Sequence, residues 1–245
     1  MTLELILFGL TAGFVSGFFG LGGGTVLTPI LFTAGFAMKE AIAISIMQMV
    51  FSSIYGSFLN SKKAKHIFKD GITLGIGGSF GGLLNSFVHA LVSDVFLQYV
   101  FIIIIIFSIV KIFVSPAEHN EEVKQHSKIV LLTVGFIVGV IAMSIGVGGA
   151  IMLIPILVSF MRYPLKIATS LSLFFVIFSS VAGFISLSLS GQMPFYEGLI
   201  IGIASLIGVF FGIKTKNLTG AKNYKKSILI MNVVILGIMV YKTVL

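Results

Sequence analysis

The chain has 245 residues, 57% of them hydrophobic and only 10% charged, too few polar groups to cover a water-soluble surface. Its net charge of +8 lies in short loops between apolar runs, where membrane orientation explains it, which argues against nucleic acid as a partner. With no cysteine, disulfides and thiolate metal or redox chemistry are excluded.

The first apolar segment, 3–36, has no Lys or Arg before it and carries Glu4, unlike a signal peptide. Its pattern recurs in mid-chain, so the segment is expected to stay in the mature protein. Gly9, Gly13 and Gly17 follow at four-residue spacing, which predicts close helix packing. Next come Gly20-Leu21-Gly22-Gly23-Gly24-Thr25 and, further on, Pro29. Glycines at this density break a helix. At membrane depth, freed backbone groups are tolerated only where they are buried in protein or line a polar cavity. A half-helix restarting near Gly23 would turn unpaired N–H groups and a positive dipole end toward that cavity, which suits an anion. No strand precedes the motif, so it is not a nucleotide-binding loop.

Spans at 40–60, 71–92 and 95–114 complete the first half; runs such as Val95 to Val114 are long enough to cross about 30 Å of hydrocarbon. The first of them carries Ser45, Gln48, Ser52 and Ser53, groups that can donate to an oxyanion without a fixed charge. His89, close to a span end, is expected at the membrane interface, and Asn85 at a helix contact. A polar linker, Ser115 to Ser127, follows.

The second half reads as 129–161, 166–189, 197–213 and 227–244. Displacing the sequence by 126 positions lays Gly9, Gly13, Gly20, Gly22, Gly23 and Pro29 on Gly135, Gly139, Gly146, Gly148, Gly149 and Pro155. Beyond one inserted residue, a displacement of 127 lays Lys39, Ser45, Ser52, Ser53 and Gly56 on Lys166, Ser172, Ser179, Ser180 and Gly183. Thr169 joins the second set of hydroxyls, and Asn232 is expected at a helix contact. The chain therefore reads as one transporter domain of two homologous repeats, 1–114 and 128–245, around a cytoplasmic linker at 115–127.

Charge decides the orientation of the spans. If all eight segments cross once, the 16 Lys and Arg residues divide 8 to 8 between the two sides, which leaves no orientation signal. If each long glycine-rich segment begins and ends on one side, the division is 14 to 2, with only Lys39 and Lys242 outside. The second arrangement satisfies the positive-inside rule, whether the segments cross twice or are re-entrant. It places both termini outside and inserts the halves in opposite senses. The basic loops 62–69 and 214–226 are matched in the other half by Ser190 to Pro194 and His89 to Asp94, which carry no Lys or Arg. The fold class is thus an all-α polytopic membrane protein with two inverted-topology repeats, each a glycine-broken long segment plus three transmembrane helices.

No Lys, Arg, Asp or Glu stands near the middle of a span, which weakens a carboxylate proton relay. No Ser/His/Asp arrangement or metal-ligand spacing appears, so no catalytic residue, metal or cofactor is expected and the protein is not expected to be an enzyme. The substrate-binding set predicted here is Gly22, Gly23, Gly24, Thr25, Ser45 and Gln48 with Gly146, Gly148, Gly149 and Ser172.

At Gly13 to Leu31 and again at Gly135 to Leu157, the chain resembles the TauE/SafE family of sulfite-exporter-like permeases. The likeness covers the whole chain, in length, duplication and the glycine-rich opening of both halves. It implies secondary transport, often outward, of small sulfur-containing or organic anions such as sulfite or sulfonates across a bacterial cytoplasmic membrane. Coupling would be to a proton or sodium gradient. Met143 stands where the first half has Gly17 and Ala150 where it has Gly24, which argues against equal participation of the halves. A passive small-anion channel and a non-transporting scaffold subunit are the alternative readings, and the sequence leaves a homo-oligomer open.

Overall fold

The computed structural model describes residues 2–20, 22–60, 68–114 and 127–244, and within them it is helical, with no strand. The basic loop at 62–69 and the linker at 115–127 lie almost wholly outside the described residues. Eleven helices are described: α1 (Thr2–Phe19), α2 (Gly24–Thr33), α3 (Met38–Asn60), α4 (Phe68–Leu83), α5 (Asn85–Leu91), α6 (Asp94–Val114), α7 (Lys128–Ser144), α8 (Ala150–Ser159), α9 (Leu165–Leu189), α10 (Phe195–Leu218) and α11 (Ala221–Val244). In hydrocarbon a helix is the element that satisfies its own backbone, and 7 of the helical stretches are long and apolar enough to cross a membrane. α2 and α8, at 10 residues each, are not.

The outer surface of the molecule is apolar, and a set of polar side chains is buried within its apolar core. Large side chains such as Ile103, Val110 and Phe113 of α6 and Ile230, Val233 and Val234 of α11 are exposed, while Ser45, Gln48, Ser53, Ser172 and Ser180 are fully buried. Lipid is the solvent that suits such a surface.

Helix pairing follows the repeat. α1 packs most extensively on α10 and α7 on α4; α3 packs on α10 and α9 on α4; α11 meets α2 and α6 meets α8. Exchanging the halves turns each pair into its partner. The two main seams are built on glycine. A Cβ at Gly9 would stand 2.6 Å from the Ile201 carbonyl oxygen, and those at Gly13 and Gly17 would meet the Ser205 and Val209 carbonyls. In the equivalent seam, Gly135 and Gly139 lie on the Leu74 and Gly78 carbonyls. The four-residue glycine spacing is therefore a packing device, as expected.

Contacts gather the loops into two ends. At one, Lys39 faces Asp94 at 3.8 Å, Lys242 lies over the Phe32 ring, and Glu4 and Leu5 share a cleft with Ala34 to Phe36. At the other, the Tyr163 hydroxyl donates to Asp70 at 2.8 Å, Lys111 lies over Phe160, and Lys225 donates to the Phe113 carbonyl. Each broken segment returns to the end it started from.

The span expected at 71–92 is two helices. Ser186 of α9 is inserted at the joint, donating to the Leu83 carbonyl at 2.8 Å and accepting from the Ser86 N–H at 3.1 Å. A side chain in the hydrogen-bond ladder is a standard cause of a helix break.

Candidate functional site

The glycine-rich breaks are alike in backbone. Gly20, Gly22 and Gly23 have φ of +69°, +79° and +85°, and Gly146, Gly148 and Gly149 have +70°, +71° and +76°. These left-handed values are open to glycine at little cost and reverse the chain within a few residues. Gly23 and Gly149 each cap the helix that follows, so α2 starts at Gly24 and α8 at Ala150. The first N–H groups of each have no intrahelical acceptor.

The breaks touch one another. Thr25 donates to the Val147 carbonyl at 3.1 Å, the Thr28 hydroxyl lies 3.1 Å from the Gly146 carbonyl oxygen, and a Cβ on Gly24 would run into that same carbonyl. The helices beside them supply hydroxyls in a reciprocal way. Ser172 donates to the Gly20 carbonyl at 3.0 Å; its counterpart Ser45 lies 2.8 Å from the Thr28 hydroxyl, which reaches Gly146. Each half thus holds the opening carbonyl of the other half's break, directly in one case and through threonine in the other. Ser52 donates to the Gly22 carbonyl at 3.0 Å. The structure brings eight of the ten predicted residues into this one contact set, with Gly148 and Gly149 in the same loop, and buries all ten.

The side chains facing the two caps differ. A Cβ at Gly23 would stand 2.6 Å and 2.8 Å from the Gln48 Oε1 and Nε2, and neither of those buried atoms has a hydrogen-bond partner. Gly149 faces the ring of Phe175, the residue 127 positions after Gln48. One break is therefore met by an unsatisfied carboxamide and the other by a hydrocarbon ring.

Two basic side chains flank the breaks from opposite ends. Lys216, half-buried near the end of α10, lies 3.3 Å from the Thr169 hydroxyl, and the Thr169 carbonyl borders Gly20. His89 lies 3.0 Å from the Ser144 carbonyl, next to the second break. It is 2% exposed, because α5 turns it inward against α7. His89 also lines a cleft of about 470 Å³ with Lys39, Glu40 and Gly191 to Pro194. Asn232 makes the helix contact expected of it, donating to Ser108 at 3.2 Å. Asn85 is buried with neither polar atom bonded. Among the described residues no group of three His, Asp or Glu gathers as a metal site.

Thr28 and Phe175 escaped the sequence reading. The displacement of 127 sets Phe175 opposite Gln48 and could have exposed the contrast, whereas Thr28 has isoleucine in the other half and leaves no repeat signal.

Comparison with known proteins agrees with this architecture. The family model described as "Sulfite exporter TauE/SafE" matches residues 5–239. The probable membrane transporter protein YunE of Bacillus subtilis is 24% identical over 261 residues, covering 95% of this chain and 93% of the relative. A probable membrane transporter protein of Methanocaldococcus jannaschii is 26% identical over 249 residues, covering 96% and 92%. No solved structure matches.

Proposed function

Because the chain belongs to the sulfite exporter TauE/SafE family, we propose that it is a secondary transporter that carries a small sulfur-containing or organic anion, such as sulfite or a sulfonate, by alternating access. That it is a multi-pass membrane transporter and not an enzyme follows from the family and from its relatives. The finer reading rests on one observation: the N-terminus of α2 lies against the second of two buried, glycine-lined breaks, and each break's opening carbonyl is held by a hydroxyl of the opposite half, Ser172 on Gly20 and Thr28 on Gly146. Backbone dipoles and hydroxyls of this kind stabilise a negative charge without a fixed counter-ion.

In this reading the two halves form inverted repeats that rock about the breaks. The end carrying Lys111, Lys216 and Lys225 faces the cytoplasm, and both termini lie outside. Lys216, on the basic side, favours pick-up from the cytoplasm and export. A proton or sodium gradient drives the cycle, in a bacterial-type cytoplasmic membrane.

The test is uptake of labelled sulfite and sulfonates into liposomes holding the purified protein, with and without ion gradients, beside a Ser45→Ala, Ser172→Ala double variant. Saturable, gradient-sensitive flux that falls at least about tenfold in the folded variant supports the carrier and its site. Flux that never saturates points to a channel, and flux no greater than through empty liposomes removes these anions as substrates.

A further inference from the structure

The transport reading treats both breaks as the site, but their surroundings divide the work unequally. Gln48 is fully buried on α3 with its whole carboxamide unpartnered, a state that folded proteins avoid. It is aimed at Gly23, the left-handed cap from which α2 starts. The N-terminus of α2 offers donors to an anionic oxygen, and the carboxamide adds both donors and an acceptor. An acceptor beside an anion is useful only if the anion brings a donor of its own, since two acceptors repel.

Charge points the same way. Lys216 lies beside Thr169, whose carbonyl borders Gly20, and so brings a positive charge to the edge of the first break. A second negative charge would be taken from water against dipoles alone, at a high cost in desolvation. At the second break Phe175 fills the place that Gln48 holds at the first and presses its ring on Gly149, so an anion there would meet hydrocarbon.

Resting on the transport reading, we propose that the ligand occupies the first break alone, held by the N-terminus of α2 and the Gln48 carboxamide, and that it is a monoanion carrying its own O–H or N–H. Hydrogen sulfite is of this class; methanesulfonate, equally charged but without a donor, is not.

The experiment compares wild type, Gln48→Leu and Phe175→Leu for labelled sulfite uptake at mildly acidic pH, with methanesulfonate as competitor, and follows thermal unfolding with each anion at millimolar concentration. Wild type should prefer hydrogen sulfite to methanesulfonate by at least about tenfold. Gln48→Leu should raise KM by a similar factor, lose the preference and unfold at a higher temperature than wild type, because an unsatisfied carboxamide is replaced by hydrocarbon. Phe175→Leu should unfold earlier and keep the preference. A Gln48→Leu protein that is less stable with KM unchanged would make Gln48 a structural residue and overturn the assignment; so would methanesulfonate competing as well as hydrogen sulfite. If wild type carries neither anion, the transport reading fails by itself. The site then stands or falls on whether hydrogen sulfite, and not methanesulfonate, raises the unfolding temperature of wild type but not of Gln48→Leu.

Discussion

Gly23 and Gly149 occupy equivalent places: each has left-handed backbone, each caps a helix of 10 residues, and each is faced from the third helix of its own half. What faces them differs, a carboxamide at the first and a phenyl ring at the second. The backbone device therefore occurs twice and the polar chemistry once. Geometry in such a pair is held by glycines that tolerate no replacement, while a single side-chain position on the neighbouring helix is free to specialise.

The comparison breaks most visibly if the two caps do not respond alike to an added Cβ. Gly23→Ala and Gly149→Ala each force alanine into left-handed backbone, at about 1–2 kcal/mol. Each also drives a methyl group into a packed neighbour, Gln48 and the Ala12 carbonyl in one case and the Phe175 ring in the other, for about 1–3 kcal/mol more. Both variants should unfold well below wild type in detergent and carry nothing in liposomes. If Gly149→Ala keeps wild-type stability, the second break is not under the same backbone constraint and the two caps are not equivalent.

One residue further on the pair diverges again, and the expected effect is smaller. Gly24 and Ala150 open their helices, yet a Cβ on Gly24 would collide with the Gly146 carbonyl and the Met49 side chain, where Ala150 already carries one. Gly24→Ala should cost about 2 kcal/mol by overpacking, and Ala150→Gly at most about 1 kcal/mol through helix propensity. Equal losses on unfolding would show that the two half-helices approach the centre with the same clearance.

Much of this could be read from the sequence because the features are local or duplicated. Glycine density marked the breaks, four-residue spacing marked the seams, and a near-constant displacement set the glycines of one break opposite those of the other. The charge partition, with Lys39 and Lys242 set apart, agrees with the contacts that gather each of them at the same end of the molecule. What the sequence could not reveal depends on residues far apart. The α4–α5 joint is set by Ser186, about a hundred positions away, and His89 is turned inward by Ser144. That Gln48 lacks a partner is a property of everything around it and leaves no trace in its own neighbours along the chain.

The hydroxyls that brace the breaks make the next test. Ser172 reaches the Gly20 carbonyl directly from α9, so Ser172→Ala removes a donor from a buried acceptor and should cost about 1.5 kcal/mol. Ser45 touches Gly146 only through Thr28, which keeps its own contact when the serine is gone. Ser45→Ala should therefore cost about half as much, and Thr28→Val should match Ser172→Ala. Denaturant midpoints of the three variants decide this. Ser45→Ala as costly as Ser172→Ala would mean that the relay through threonine is no weaker than the direct bond.

The smallest effects are expected where the two broken segments leave the centre, because there water competes. After α8, Tyr163 is buried and donates to Asp70 at 2.8 Å; burial, and then the bonded carboxylate, push its phenol above the ordinary range. After α2, Asp94 accepts from the Met38 N–H at 3.0 Å and faces Lys39, with both charged side chains 35% exposed. Tyr163→Phe should cost about 1 kcal/mol and Asp94→Asn less than about 0.5 kcal/mol, since an exposed pair is screened and asparagine still accepts the backbone bond. Because the folded-state pKa of Tyr163 is raised, its contribution is fully present below the unfolded value of about 10 and is lost as pH rises through the folded one. The stability gap between wild type and Tyr163→Phe should accordingly hold steady from neutral pH to about 9 and narrow above about 10. A gap that widens there would mean that the tyrosine ionises more readily folded than unfolded. The exit of the second segment would then be held by charge, like that of the first, and not by a buried neutral donor.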